Sequence, residues 1–374
     1  MNGTIRVGNL FGIPFYVAPS WFFVLALVTW TYGGGIATQF PELGGPASLL
    51  LGLVAALLLF ASVLAHELGH SFVAIRQGVA VSSITLFLFG GLAALDKESE
   101  TPAEAFQVAI AGPAVSLILF SVFTAIGLSN VVTGPLAAIT GLLTSVNLIL
   151  ALFNLIPGLP LDGGNILKAL VWKITGNPYK GVVFASRVGQ VIGWAAVISA
   201  ALPIVLYGSF NGFWNLLIGW FLLQNAGRSA QSATVQEKLT SLTAADAVSS
   251  SSPIVSADLS LREFANEFII GNVEWRRFLV TDTEGQLVGT ITVDDLKIVS
   301  TSRWPETQVK ELMKSVAFTT TVQPDQSLME VVKLLEEKQI TQLPVVRENG
   351  VLVGLLEKAA IIRLLQKQAE ANPA

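Results

Sequence analysis

The two histidines of this 374-residue sequence are its entire imidazole complement, and they stand four residues apart in His66-Glu67-Leu68-Gly69-His70. On a helix, positions i and i+4 share one face. Both rings can then ligate one Zn²⁺, while Glu67, offset around the helix, points toward a water polarised by the metal. Zinc lowers the pKa of such a water and a carboxylate takes its proton, so the trio has the parts for metal-assisted hydrolysis. It sits at the end of an uncharged apolar stretch running from Ser48 to Ala65. Ionisable groups at such a place cost several kcal/mol unless they find partners. A merely solvated His-Glu-His is therefore the weaker reading.

The elements that position the trio are read from composition. The chain is 52% hydrophobic and 13% charged, too apolar for an ordinary soluble protein. The charge is uneven: of 22 Lys and Arg, eight precede residue 231, so an apolar first part is followed by a charge-rich second part. Six segments are long enough to span a bilayer, at about 17–35, 47–72, 104–128, 132–156, 184–207 and 210–229. The first lacks a basic leader and a cleavage site and reads as a retained span. Arg6 precedes span one; Arg76 and Lys97 follow span two; Lys168, Lys173, Lys180 and Arg187 follow span four; Arg228 closes span six. The alternate connections hold no Lys or Arg. By the positive-inside tendency, the amino terminus, the even-numbered loops and the carboxy-terminal part face the cytoplasm.

A zinc site needs a third protein ligand, and a chain with no cysteine and no further histidine must supply a carboxylate. Before residue 231 only Glu67 and Asp162 lie in apolar surroundings. Spans two and four both run from outside to inside, and Asp162 directly follows span four, so it reaches the depth of the imidazoles. Taken alone, Asp162 before Gly163-Gly164 equally suits a helix cap or tight turn.

Two motifs together carry a family resemblance. His66-Glu67-Leu68-Gly69-His70, followed at a distance by Asn154-Leu155-Ile156-Pro157-Gly158-Leu159-Pro160-Leu161-Asp162-Gly163-Gly164, resembles the site-2 protease family of intramembrane metalloproteases. Ala111-Gly112-Pro113 in the third span and Gly90-Gly91 after the second support it. The resemblance implies that His66, His70 and Asp162 bind one Zn²⁺ per chain and that Glu67 is the general base. It also implies that Asn154 polarises the scissile carbonyl. Argued from the residue itself, the Asn154 amide could stabilise an oxyanion or merely satisfy carbonyls freed by Pro157. Asn147, two turns earlier, reads as structural.

The segment Val79–Leu95 is β-branched and aromatic, and Gly90-Gly91 divides it into pieces too short to span. It reads as a small membrane-embedded β-hairpin beside the site, where a cavity makes non-helical backbone tolerable. An unwound substrate segment pairing with its edge along 84–89 is the expected mode of binding.

Residues 240–366 contain a duplication. Phe278-Leu-Val-Thr-Asp-Thr-Glu-Gly-Gln-Leu-Val-Gly289 aligns without a gap on Leu343-Pro-Val-Val-Arg-Glu-Asn-Gly-Val-Leu-Val-Gly354. Each copy reads as helix, strand, Gly turn, strand, helix. That order resembles a pair of CBS domains, which implies a soluble α+β module, homodimerisation and ATP, ADP or AMP binding. Thr292 near a helix start suits phosphate and Asp295 suits ribose hydroxyls. The second copy departs, with Glu357 and Ala360 at the corresponding places. A structural, nucleotide-free module is the other reading.

The expected protein is an α-helical polytopic membrane domain at 1–230, a linker at 231–240, and CBS domains at 241–302 and 303–374. The resemblance implies regulated intramembrane proteolysis: an intramembrane zinc endopeptidase cutting a single-pass membrane protein near the cytoplasmic end of its span. The host is a bilayer of the bacterial plasma-membrane type, with the amino terminus and CBS domains cytoplasmic. A net charge of −4 gives no ground for a nucleic-acid partner. The alternatives are a CBS-regulated transporter and a catalytically inactive homologue. A transporter would spread charges along a pathway, whereas those here converge on one metal-sized site, and the complete ligand set speaks against an inactive scaffold.

Overall fold

The apolar run carrying the two histidines folds as one 33-residue helix, α2 (Gly44–Arg76), in the computed structural model. The structure describes residues 3–88, 90–208, 212–249, 252–270, 275–315 and 320–371. They fall into two compact units, Met1–Ala233 and Thr234–Ala374. At 1.5 Å per residue α2 is about 50 Å long, well beyond the ~30 Å hydrocarbon thickness of a bilayer. Around it stand α1 (Pro19–Gln39), α3 (Pro102–Leu128), α4 (Pro135–Asn154) and α6 (Pro178–Tyr207). These four and α2, with the turn leading into it, are the five helices long and apolar enough to cross a membrane among the described residues. They leave large side chains such as Phe23, Trp30, Ile118 and Val205 exposed, an apolar surface that only lipid would cover cheaply.

The segment expected as a sixth span forms the first half of α7 (Phe213–Ser241). Its apolar run ends at Leu223, where Gln224, Asn225 and Arg228 follow. Among the described residues it is not one of the helices both long and apolar enough to cross a membrane. Residues 209–211, at the start of the expected span, lie outside the described residues.

The expected hairpin is present as β3 (Val81–Phe87) and β4 (Gly90–Leu95), paired from Val81↔Leu95 to Phe87↔Gly90. Phe89 at its tip lies outside the described residues. The hairpin is not alone. An amino-terminal hairpin, β1 (Ile5–Leu10) and β2 (Ile13–Val17), adds to it through a parallel β2–β3 pairing, giving a four-stranded sheet of order β1-β2-β3-β4. Phe11 and Gly12 make the β1–β2 turn at positive φ, 53° and 86°, the backbone that two-residue hairpin turns require. This corrects the expected substrate edge. β3 is paired on both sides at Ile84–Leu86, so residues 84–86 have no open edge to offer, and on this side the free edge is β4.

Between α4 and α5 (Asp162–Thr175) the chain makes a tight return. Leu159 N–H donates to the Ala185 carbonyl of α6, and Gly164 N–H to the Leu161 carbonyl. A Cβ on Gly163 would collide with the Leu155 and Ile156 carbonyls, and one on Gly164 with the Gly158–Leu159 backbone. The two glycines after Asp162 are what let the return close.

The second unit shows the duplication as repeated register. β5 (Arg277–Thr281) pairs β6 (Leu287–Thr292) antiparallel with Phe278↔Ile291 and Val280↔Gly289. β7 (Gln342–Val346) pairs β8 (Leu352–Glu357) with Leu343↔Leu356 and Val345↔Gly354, and both hairpins bulge at the same place. The copies differ in their helices. The second has α8 (Leu328–Glu337) and α9 (Lys358–Ala371), whereas in the first the helices expected on either side shrink to Leu261–Phe264 with a π-turn, and to the 3₁₀ turn Asp295–Ile298. Each copy also lends its opening segment to the other. Ala244 and Ala247 are buried in the second core, and Val309 in the first.

Candidate metal centre

His66 and His70 lie on the inward face of α2, one turn apart, and α3 crosses that face. Gly112 of α3 makes the crossing possible, since a Cβ there would overlap His70 Nε2 and come within 2.7 Å of His66 Nε2. Pro113, next along α3, lacks the N–H that would pair the Ala109 carbonyl. The neighbouring Val108 carbonyl accepts a hydrogen bond of 2.6 Å from His70 Nδ1. That bond places the His70 proton on Nδ1 and leaves Nε2 with its lone pair free for a cation. His66 Nδ1 meets the buried Ser116 hydroxyl of α3 at 2.9 Å. Both rings are thus held from behind by α3, as metal-ligating histidines are.

The Nε2 atoms are aimed at one point. His66 Nε2 and His70 Nε2 lie 3.3 Å apart. Asp162 Oδ2 lies 3.0 Å from the first and 3.3 Å from the second. Asp162 is the first residue of α5, and its N-cap position is Leu161. The carboxylate thus reaches the imidazoles; it makes no N-cap.

The donor set can be tested for a metal. Three atoms that all present lone pairs repel one another at 3.0–3.3 Å unless a cation or protons lie between them. Ligands about 2.0–2.1 Å from a tetrahedral Zn²⁺ are about 3.3 Å from each other. Two nitrogens and one carboxylate oxygen at that spacing fit zinc, with a position left for water or substrate.

Glu67 and Asn154 complete the surroundings. Both line, with the three candidate ligands, a cavity of about 540 Å³. Glu67 faces β4 so closely that a Cβ on Gly91 would run into its side chain, which explains the glycine at the start of that strand. Asn154, the last residue of α4, brings its amide nitrogen to 3.5 Å from His66 Nε2. Asn147 is buried two turns earlier, where its amide donates to Ser62 Oγ of α2 at 3.1 Å.

Sequence reasoning missed Ser116 and Val108. A hydroxyl three residues after Pro113 in an apolar helix was the one available signal for Ser116; a backbone carbonyl such as that of Val108 gives none.

The remaining candidates, Thr292 and Asp295, lie in the second unit. The structure brings them together, though against each other. Asp295 Oδ2 accepts from Thr292 N–H at 2.8 Å and from Thr292 Oγ1 at 2.5 Å. Asp295 Oδ1 takes the Lys314 ammonium at 2.9 Å. Burial raises the Asp295 pKa, but the Thr292 and Lys314 hydrogen bonds outweigh it and hold the carboxyl below the ordinary range. Its lone pairs are already engaged, and the single 3₁₀ turn that follows offers phosphate little of the open helix end that sequence suggested.

Comparison with known proteins gives the same division of the chain. The family model for peptidase family M50 matches residues 54–134 and 128–198, and that for the CBS domain matches 244–300 and 309–367. A protein of Synechocystis sp. named as a zinc metalloprotease is 57% identical over 99% of this chain and 97% of its own length. Rip3 of Mycobacterium tuberculosis, likewise named a zinc metalloprotease, is 32% identical over 100% of this chain and 95% of its own. A site-2 protease structure from Methanocaldococcus jannaschii is 27% identical, covering 61% of this chain and 95% of that one, with a TM-score of 0.43.

Proposed function

This chain belongs to peptidase family M50 as an integral membrane metalloprotease carrying CBS domains, and from that premise we propose that it cleaves single-pass membrane proteins within or near the cytoplasmic end of their spans. The observation that carries the reading is the convergence of His66 Nε2, His70 Nε2 and Asp162 Oδ2 on one point, with Glu67 in the same cavity.

In this reading His66, His70 and Asp162 would hold one zinc ion, which would supply Lewis-acid chemistry at the site. Glu67 takes a proton from the attacking water as its oxygen bonds to the carbonyl carbon. The Asn154 amide donates to the carbonyl oxygen as charge develops there. Glu67 then delivers the proton to the departing nitrogen as the C–N bond breaks. Ser116 and Val108 fix the imidazole tautomers and orientations. A helical peptide bond is shielded by its own hydrogen bonds, so the substrate unwinds, and its extended backbone adds to β4, the sheet's free edge beside Glu67.

The proposed organisation is a membrane protease domain at 1–230, a linker at 231–240 and CBS domains at 241–302 and 303–374, with the amino terminus and CBS domains cytoplasmic and the CBS domains dimerising. Adenine nucleotide would enter the first CBS copy by displacing Lys314 from Asp295. Added ATP or AMP is expected to change the cleavage rate of the purified enzyme, and an unchanged rate would remove nucleotide control.

The deciding experiment measures zinc content and cleavage of a model span together. Wild type is expected to hold one zinc and cleave, and His66→Ala and Asp162→Ala to lose both. Glu67→Gln should keep zinc and lose cleavage by at least 10²-fold, the scale of general-base catalysis. Zinc-free wild type that still cleaves would sink the reading.

A further inference from the structure

Of the eight Lys and Arg before residue 231, seven are exposed, as suits residues that serve only to orient a membrane protein. Lys168 of α5 is the exception. Its side chain is 17% exposed, and its ammonium meets Glu98 Oε2 at 2.9 Å. Both residues line the cavity that holds the metal ligands, and no other Lys or Arg lines it among the described residues.

The partner is unlike Lys168. Glu98 follows β4 on a surface segment, and its side chain is 80% exposed. A carboxylate so well hydrated holds an ion pair weakly and exchanges readily for another. The ammonium stays in the cavity while its anion is replaceable. The other anions of the cavity, Glu67 and Asp162, would repel an acidic substrate group, so Lys168 is the place where one is welcome.

We propose that Lys168 determines specificity by receiving an Asp or Glu side chain of the substrate in exchange for Glu98. The inference rests on the cleavage reaction proposed above and names its substrate class. Lys168 lies six residues beyond Asp162, about 9 Å along the helix at 1.5 Å per residue. An extended chain advances about 3.3 Å per residue. The acidic residue therefore stands about three residues from the scissile bond, in the direction in which α5 leaves the metal site.

The test uses the full-length, zinc-loaded enzyme in phosphatidylcholine nanodiscs. Model spans carry Glu, Gln or Lys at that one position. Wild type is expected to favour Glu over Lys roughly tenfold in kcat/KM, the scale of a single charge contact. In Lys168→Met the ratio falls to about one, and in Lys168→Glu it inverts. Affinity of the Glu67→Gln enzyme for the same spans, read by fluorescence anisotropy, is expected to follow the same order. A wild-type ratio near one, or a ratio that survives Lys168→Met, overturns the proposal. So does a rate that rises for every span on adding phosphatidylglycerol while the ratio stays at one, which would assign Lys168 to a lipid headgroup. Failure of wild type to cut any span strikes the cleavage reading instead, and the anisotropy series still decides Lys168.

Discussion

At the residue scale, the centre depends on an atom that is missing. Two imidazoles can turn toward one point only because α3 presents Gly112 there, and the smallest side chain would take the space of His70 Nε2. Gly112→Ala is therefore expected to lower zinc affinity by at least tenfold while leaving the helices formed. Metal content after dialysis against a graded chelator, read beside circular dichroism, measures it; zinc retention equal to wild type would show that the rings have room to move. The same steric logic explains Gly91 against Glu67.

At the scale of elements, the amino-terminal hairpin alters the role of its neighbour. By pairing with β3 it uses the edge a substrate would otherwise take and leaves β4 as the open strand beside the cavity. A strand edge binds through its main-chain N–H and C=O groups, so proline is the informative substitution. Scanned through Leu92, Ala93 and Ala94, it is expected to abolish cleavage, with zinc content unchanged, wherever it removes an N–H turned away from β3. Cleavage that tolerates all three would exclude pairing at this strand. Proline at Thr85 is expected to damage folding instead, because β3 is internal.

At the scale of the whole molecule, the eight basic residues in the first 230 lie in alternate connections or toward the ends of the elements beside them. By the positive-inside tendency, that pattern is expected to orient the protein with its amino terminus inward. The chain contains no cysteine, so single introduced cysteines report sidedness without background. Asn130→Cys, between α3 and α4, is expected to react with a membrane-impermeant maleimide in intact cells. Ser99→Cys, before α3, should react only after permeabilisation. The reverse pattern would invert the topology and move the proposed cut to the other face of the membrane.

The sequence by itself determined the chemistry available and the helices that carry it. His66 and His70 are related by helical periodicity over four residues, the apolar runs by length, and the CBS copies by direct alignment; all are local properties that survive without a fold. A chain lacking cysteine and further histidine also left only a carboxylate for a third ligand. Tertiary structure decided what depends on distant contacts. His66 meets Ser116 across 50 residues and Asp162 across 96, and no periodicity encodes such meetings. β1 and β2 were hidden because strands this short are stabilised by their neighbours more than by their own sequence, although the Phe11-Gly12 turn was a legible sign. Lys168 read as one more orienting charge until packing withdrew it from water, since burial is a property of the fold and not of the residue.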